Sequence, residues 1–105
     1  MPIIVLVAYK PKPGQDAALA AEVREHVPIL QRLGLATNRL PIIAKAVDGT
    51  FVEMFEWVSK EAIENAHKDP TVLAMWGRFG ACCDCIPIGQ VPEASQLFSH
   101  FAPFS

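Results

Sequence analysis

The pair Asp48-Gly49, set between two apolar stretches, constrains this chain more than any other feature. A two-residue hairpin turn of the mirror-image type needs positive φ, which Gly adopts freely and Asp accepts more easily than bulkier residues. The pair therefore predicts antiparallel strands over Leu40–Val47 and Thr50–Val58. The second arm, rich in β-branched and aromatic residues, has the strongest strand character in the chain. Because side chains alternate along a strand, Phe51, Glu53, Phe55 and Trp57 share one face, and Val52, Met54, Glu56 and Val58 the other. Both faces are mostly apolar. This pattern fits a central strand covered by helices on one side and by another subunit on the other.

The flanking sequence fills in the order of elements. Ile3–Ala8 is an unbroken apolar run expected to form a strand buried on both faces, closed by Pro11-Lys12-Pro13-Gly14. From Gln15 the period becomes helical, with Leu19, Val23, Val27 and Leu30 on one face. Pro28 is expected to interrupt that helix and Gly34 to cap its end. Ser59 is a candidate N-cap for Lys60–His67, and Asp69-Pro70 restarts a helix carrying Val72, Leu73, Trp76 and Phe79. Ile86-Pro87-Ile88, starting as early as Asp84, is the expected last strand. A short helix and an aromatic arm follow over 91–105. The order β-α-β-β-α-β predicts an α+β fold of the ferredoxin-like kind: a four-stranded antiparallel sheet with two helices on one face. Its bare face calls for a cover, and sheet-to-sheet homodimerisation supplies one.

Composition bounds the function. With 105 residues, 51% of them hydrophobic and 19% charged, the chain is expected to form a single domain, 1–105. A net charge of −2 without a basic cluster argues against nucleic acid as a partner. Ile3–Ala8 is too short for a bilayer span and has no basic stretch before it, so neither an anchor nor a signal peptide is expected. An odd count of three Cys does not suit a disulfide scaffold, and a cytoplasmic location is expected.

The string from Val52 to Ala62, with Ala66-His67 and the Asp69-Pro70 restart behind it, resembles the dimeric α+β barrel superfamily, especially its antibiotic-biosynthesis-monooxygenase-like members. That resemblance implies a barrel-forming homodimer and, as one activity among several in the superfamily, a monooxygenase that works without a cofactor. Haem-degrading members carry an Asn on the first strand and a Trp and a His in the second helical region. Aligned on Trp57-Val58-Ser59, the latter two positions fall near Ala66 and Trp76, and Ile3–Tyr9 holds no Asn, so haem is not expected.

Two residues stand out as candidate bases. His67 lies in the break between helical segments, where related oxygenases often carry a His near the pocket, and an imidazole exchanges protons near neutral pH. The plainer reading makes it a helix-break contact. Glu53 stands among Phe51, Phe55 and Trp57, where desolvation favours proton uptake. Glu56 faces the opposite side, and one of these two carboxylates is expected to pair with Arg39 or Lys45 across the hairpin. Tyr9, Arg39, Phe55, Trp57 and Trp76 are candidate substrate-binding residues for a flat aromatic molecule, the aromatics equally serving as plain core. Cys82, Cys83 and Cys85 lack metal-site spacing and read as small hydrophobes at a helix-to-strand junction, so no metal is expected. His26 and His100 read as isolated. Two functions follow as expectations: a metal-free oxygenase, or less readily an isomerase or lyase, acting on a small aromatic or enolisable substrate; and a non-catalytic binding or structural dimer.

Overall fold

The structure, a computed structural model, describes residues 1–104. Five strands and three helices follow the chain: β1 (Ile3–Pro11), α1 (Asp16–Arg32), β2 (Ile42–Lys45), β3 (Phe51–Trp57), α2 (Lys60–Ala66), α3 (Pro70–Cys82), β4 (Cys83–Ile86) and β5 (Ala102–Pro103). Two short 3-10 turns, Ile88–Gln90 and Pro92–Ser95, precede β5. The sheet runs β4-β1-β3-β2-β5, and every neighbouring pair is antiparallel. The result is an α+β fold with one strand more than the sequence led us to expect, its second helical region divided into α2 and α3 at the Asp69-Pro70 restart.

The hairpin forms, with a different turn. Ala46 N–H donates to the Thr50 carbonyl at 2.8 Å and Gly49 N–H to the Ala46 carbonyl at 3.0 Å, so Val47-Asp48-Gly49 is a three-residue loop. Gly49 takes φ +91°, while no residue other than glycine has positive φ among those described, so the expected two-residue mirror-image turn is not made. A turn closed by a left-handed glycine is the next commonest solution, and it spares Asp48 the strained conformation. Asp48 instead accepts from Thr50 N–H at 3.0 Å, a bond that holds its carboxyl below the usual range. The first arm is also shorter than expected. Pro41 has no N–H for a ladder, and the segment before it takes over, with Thr37 N–H donating to Glu56 and Val58 N–H to Leu35.

α1 continues through Pro28, which stands on the exposed face of the helix, where a carbonyl left without its helical donor is open to solvent. It ends at Gly34, φ +74°, with Gly34 and Leu35 N–H returning to the Gln31 and Leu30 carbonyls. Ser59 Oγ caps α2 through Ala62 N–H, and Asp69 Oδ1 caps α3 through Thr71 and Val72 N–H. Pro87 cannot extend the ladder, so β4 covers Cys83–Ile86 and closes before it. The expected C-terminal helix is replaced by 3-10 turns and an arm that adds β5 beside β2, anchoring Phe104 against Phe51 at 4.9 Å between ring centres.

α1 and α3 cover the face bearing Phe51, Phe55 and Trp57, where Leu19, Val23, Leu30, Val72 and Met75 complete the main core. On the reverse face Val91 and Phe101 cover Ala8, Ala46 and Val52, while Ile4, Leu6 and Ile42 remain more than half exposed.

Candidate functional site

Register delivers the first half of the site. β1 pairs with β3 so that Val5 faces Phe55, Val7 faces Glu53 and Tyr9 faces Phe51, all turned toward the helices. α1 supplies the second half, since its apolar face runs through positions 19, 23, 26, 27 and 30 and puts His26 over the sheet. His26 Nδ1 lies 2.7 Å from Glu53 Oε1, and the Tyr9 hydroxyl lies 2.8 Å from the same oxygen. All three residues are buried, Glu53 completely. The sequence reading of His26 as isolated is therefore corrected. The missed signal was its place on the buried stripe of α1, which this topology lays over an inward-facing carboxylate.

Proton accounting defines the cluster. The Tyr9 O–H donates to Glu53, and a ring N–H at Nδ1 of His26 does the same, so the 3.2 Å approach of the Tyr9 oxygen to Nδ1 brings two donors side by side. Burial, reinforced by the Glu53 charge and hydrogen bond, pushes the Tyr9 hydroxyl far above the usual phenol range and keeps it protonated. Glu53 Oε2 is buried with no hydrogen-bond partner among the described residues. With Nδ1 occupied, Nε2 is the nitrogen of His26 left to meet a ligand. The ring is held edge-on by Phe55 and Phe79, each at 5.2 Å between centres, while Phe79 stacks on Tyr9 at 5.0 Å.

This cluster borders a cavity of about 370 Å³. Val5, Val7 and Tyr9 of β1, Phe55 and Trp57 of β3, His26 of α1, Trp76 and Phe79 of α3, and Cys85 of β4 line it. The lining is thus almost wholly apolar, without Lys or Arg. Its size lies at the low end for small-molecule sites.

Of the residues singled out in the sequence, Tyr9, Phe55, Trp57 and Trp76 come together on this cavity, with Glu53 directly behind it. Tyr9 spends its hydroxyl on Glu53, so it orients that carboxylate and is not free to hold a substrate oxygen. His67 is exposed; its Nδ1 meets the Ile63 carbonyl at 2.8 Å and its ring edges against Trp76 at 5.0 Å, outside the lining. Arg39 is not brought to the cavity. Its Nε lies 3.3 Å from Glu56 Oε1, on the reverse side of the sheet. That pair is the carboxylate contact anticipated for one of the two Glu residues. Cys82 and Cys83 are buried at the junction of α3 and β4, burial and neighbouring thiols pushing Cys83 up to about 12, whereas Cys85 is exposed. No group of three or more His, Cys, Asp or Glu residues suited to a metal ion occurs among the described residues, and no helix is long and apolar enough to cross a membrane. In comparisons with known proteins, no family model, curated protein or solved structure matches the chain.

Proposed function

We propose that this chain is a small enzyme of the ferredoxin-like, dimeric α+β barrel type that removes a proton from a neutral, flat phenolic or enolisable molecule. The carrying observation is the 2.7 Å contact that fixes His26 Nδ1 on buried Glu53 and leaves Nε2 beside an apolar cavity. In this reading His26, and not His67, is the base. Glu53 holds the ring orientation and balances the imidazolium that forms when Nε2 accepts the proton, while Tyr9 steadies Glu53. The aromatic walls bind a planar substrate. The absence of Lys and Arg from the lining selects against carboxylates and phosphates, since an unpaired charge there would be desolvated. In the monooxygenase form, the substrate anion reacts with dioxygen: a CH₂ group and O₂ become a carbonyl and water, the substrate supplying the electrons.

The exposed side chains Ile4, Leu6 and Ile42 support pairing through the bare sheet face, an interface expected to bury more than about 1,000 Å². We place the protein in the cytoplasm, where three free thiols remain reduced.

The test is oxygen uptake and product formation with a panel of hydroxynaphthalenes and cyclic β-diketones, comparing wild type with His26→Gln. Loss of about 10²–10⁴-fold in turnover with binding retained supports the reading. Quenching of Trp57 and Trp76 fluorescence by the same compounds with no turnover in wild type would instead make this a binding module, which the apolar lining also suits.

A further inference from the structure

The geometry points to Cys85 as a covalent capture site for flat, apolar α,β-unsaturated carbonyl compounds, quinones and cyclic enones, that enter the cavity. Cys85 stands opposite Tyr9 in the β1–β4 ladder, which turns its thiol to the same side of the sheet as the Tyr9 ring. It lines the cavity and is exposed, whereas Cys82 and Cys83 are each only 4% exposed. One thiol of the three is therefore both inside the binding space and reachable from outside it.

A second, independent feature marks this space as a ligand site. A cavity of about 370 Å³ opens beside the thiol, walled by Phe55, Trp57, Trp76 and Phe79, with the 4% exposed His26 among its lining. Flat apolar walls of this kind bind planar rings, and the few polar groups among them set which way a ring lies. A quinone or enone fits this space: its ring plane lies against Trp57, Trp76 and Phe79, and its β-carbon meets the sulfur.

The chemistry balances without an added oxidant or reductant. The thiol sulfur forms a C–S bond at the β-carbon, the π pair of the C=C bond shifts onto the carbonyl oxygen, and the thiol proton ends on that enolate. A quinone so attacked tautomerises to a thioether-substituted hydroquinone. Burial pushes the Cys85 thiol up while the neighbouring Cys83 thiol opposes the shift, so reaction should quicken as pH rises. The thiolate formed is intrinsically the stronger nucleophile for that shift.

Wild-type protein is incubated with 1,4-naphthoquinone or with iodoacetamide, and adducts are followed by intact mass and peptide mapping. Each rate is divided by that of glutathione with the same reagent. Capture predicts one naphthoquinone adduct, on Cys85, with a normalised rate at least about tenfold above that for iodoacetamide, because binding holds the reactants together. Cys85→Ser should lose the adduct, and 2-naphthol should slow labelling by competing for the cavity. Preferential labelling of Cys82 or Cys83, equal normalised rates for the two reagents, or no protection by 2-naphthol would each overturn the inference. The mass readout requires no turnover, so the result stands or falls apart from the proposed enzymatic activity.

Discussion

Tyr9→Phe is the most informative single change. It removes one hydroxyl and retains the ring, so the 5.0 Å stack on Phe79 and the apolar burial are preserved. What is lost is the 2.8 Å bond to Glu53 Oε1. That oxygen keeps His26 as a donor at 2.7 Å, so it is not left bare and the full penalty of an orphaned buried acceptor does not apply. A loss of about 1–2 kcal/mol is expected at neutral pH, which for a chain this size lowers the melting temperature by about 4–8 °C per kcal/mol. The pH dependence has a definite sign. Because the folded hydroxyl is raised above its unfolded value, its contribution is complete below pH ~10 and is lost as pH rises beyond it, the slope approaching about 1.4 kcal/mol per pH unit. The stability gap between wild type and Tyr9→Phe should therefore narrow in alkali. As Tyr9 is the only tyrosine, ultraviolet absorbance of tyrosinate reports on it alone. Folded protein should show none at pH 10.5, and unfolding in urea at that pH should release it. Ionisation near pH 10 in the folded state, or a variant within about 0.3 kcal/mol of wild type, would refute this account of the cluster.

Three other outcomes follow. His67→Ala should cost about 1 kcal/mol in urea denaturation, through its helix-end contact with Ile63, yet leave ligand quenching and turnover as in wild type. Leu6→Asp should shift a sedimentation profile from dimer to monomer while circular dichroism stays native, because Leu6 is half exposed; Phe55→Asp, within the core, should unfold the chain. A wild type that sediments as a monomer at micromolar concentration would end the dimer proposal. Asp48→Ala should lower stability at neutral pH, and the difference should shrink as pH falls below about 4, since a carboxyl held low stabilises only above its unfolded value.

What was legible in the sequence was local. Ser59, Asp69-Pro70 and Gly34 mark helix ends through bonds that span two to five residues, and each acts in the structure as its chemistry predicts. The strand character of Thr50–Val58 and the helical stripe of α1 are likewise carried by the period of a few neighbouring side chains. The hairpin was visible in Asp48-Gly49, but the loop length was not. Choosing between two and three residues depends on where the arms pair, and the register that places Lys45 opposite Phe51 is a property of the sheet.

The site belonged to tertiary structure. Tyr9, His26 and Glu53 are separated by 17 and 27 residues, and nothing within the neighbourhood of any one of them announces the others. The sequence put Glu53 on the face of β3 shared with Phe51, Phe55 and Trp57, but His26 read as isolated although it stands beside Val27 on the buried stripe of α1. Only the packing of α1 across β1 and β3 decided that they meet. It also moved the candidate base away from His67, which lies one residue past the end of α2, on the surface against Trp76. Helix caps and strand periods are written in contacts between near neighbours, whereas a buried polar cluster is written in which faces meet, and only the folded chain brings those faces together.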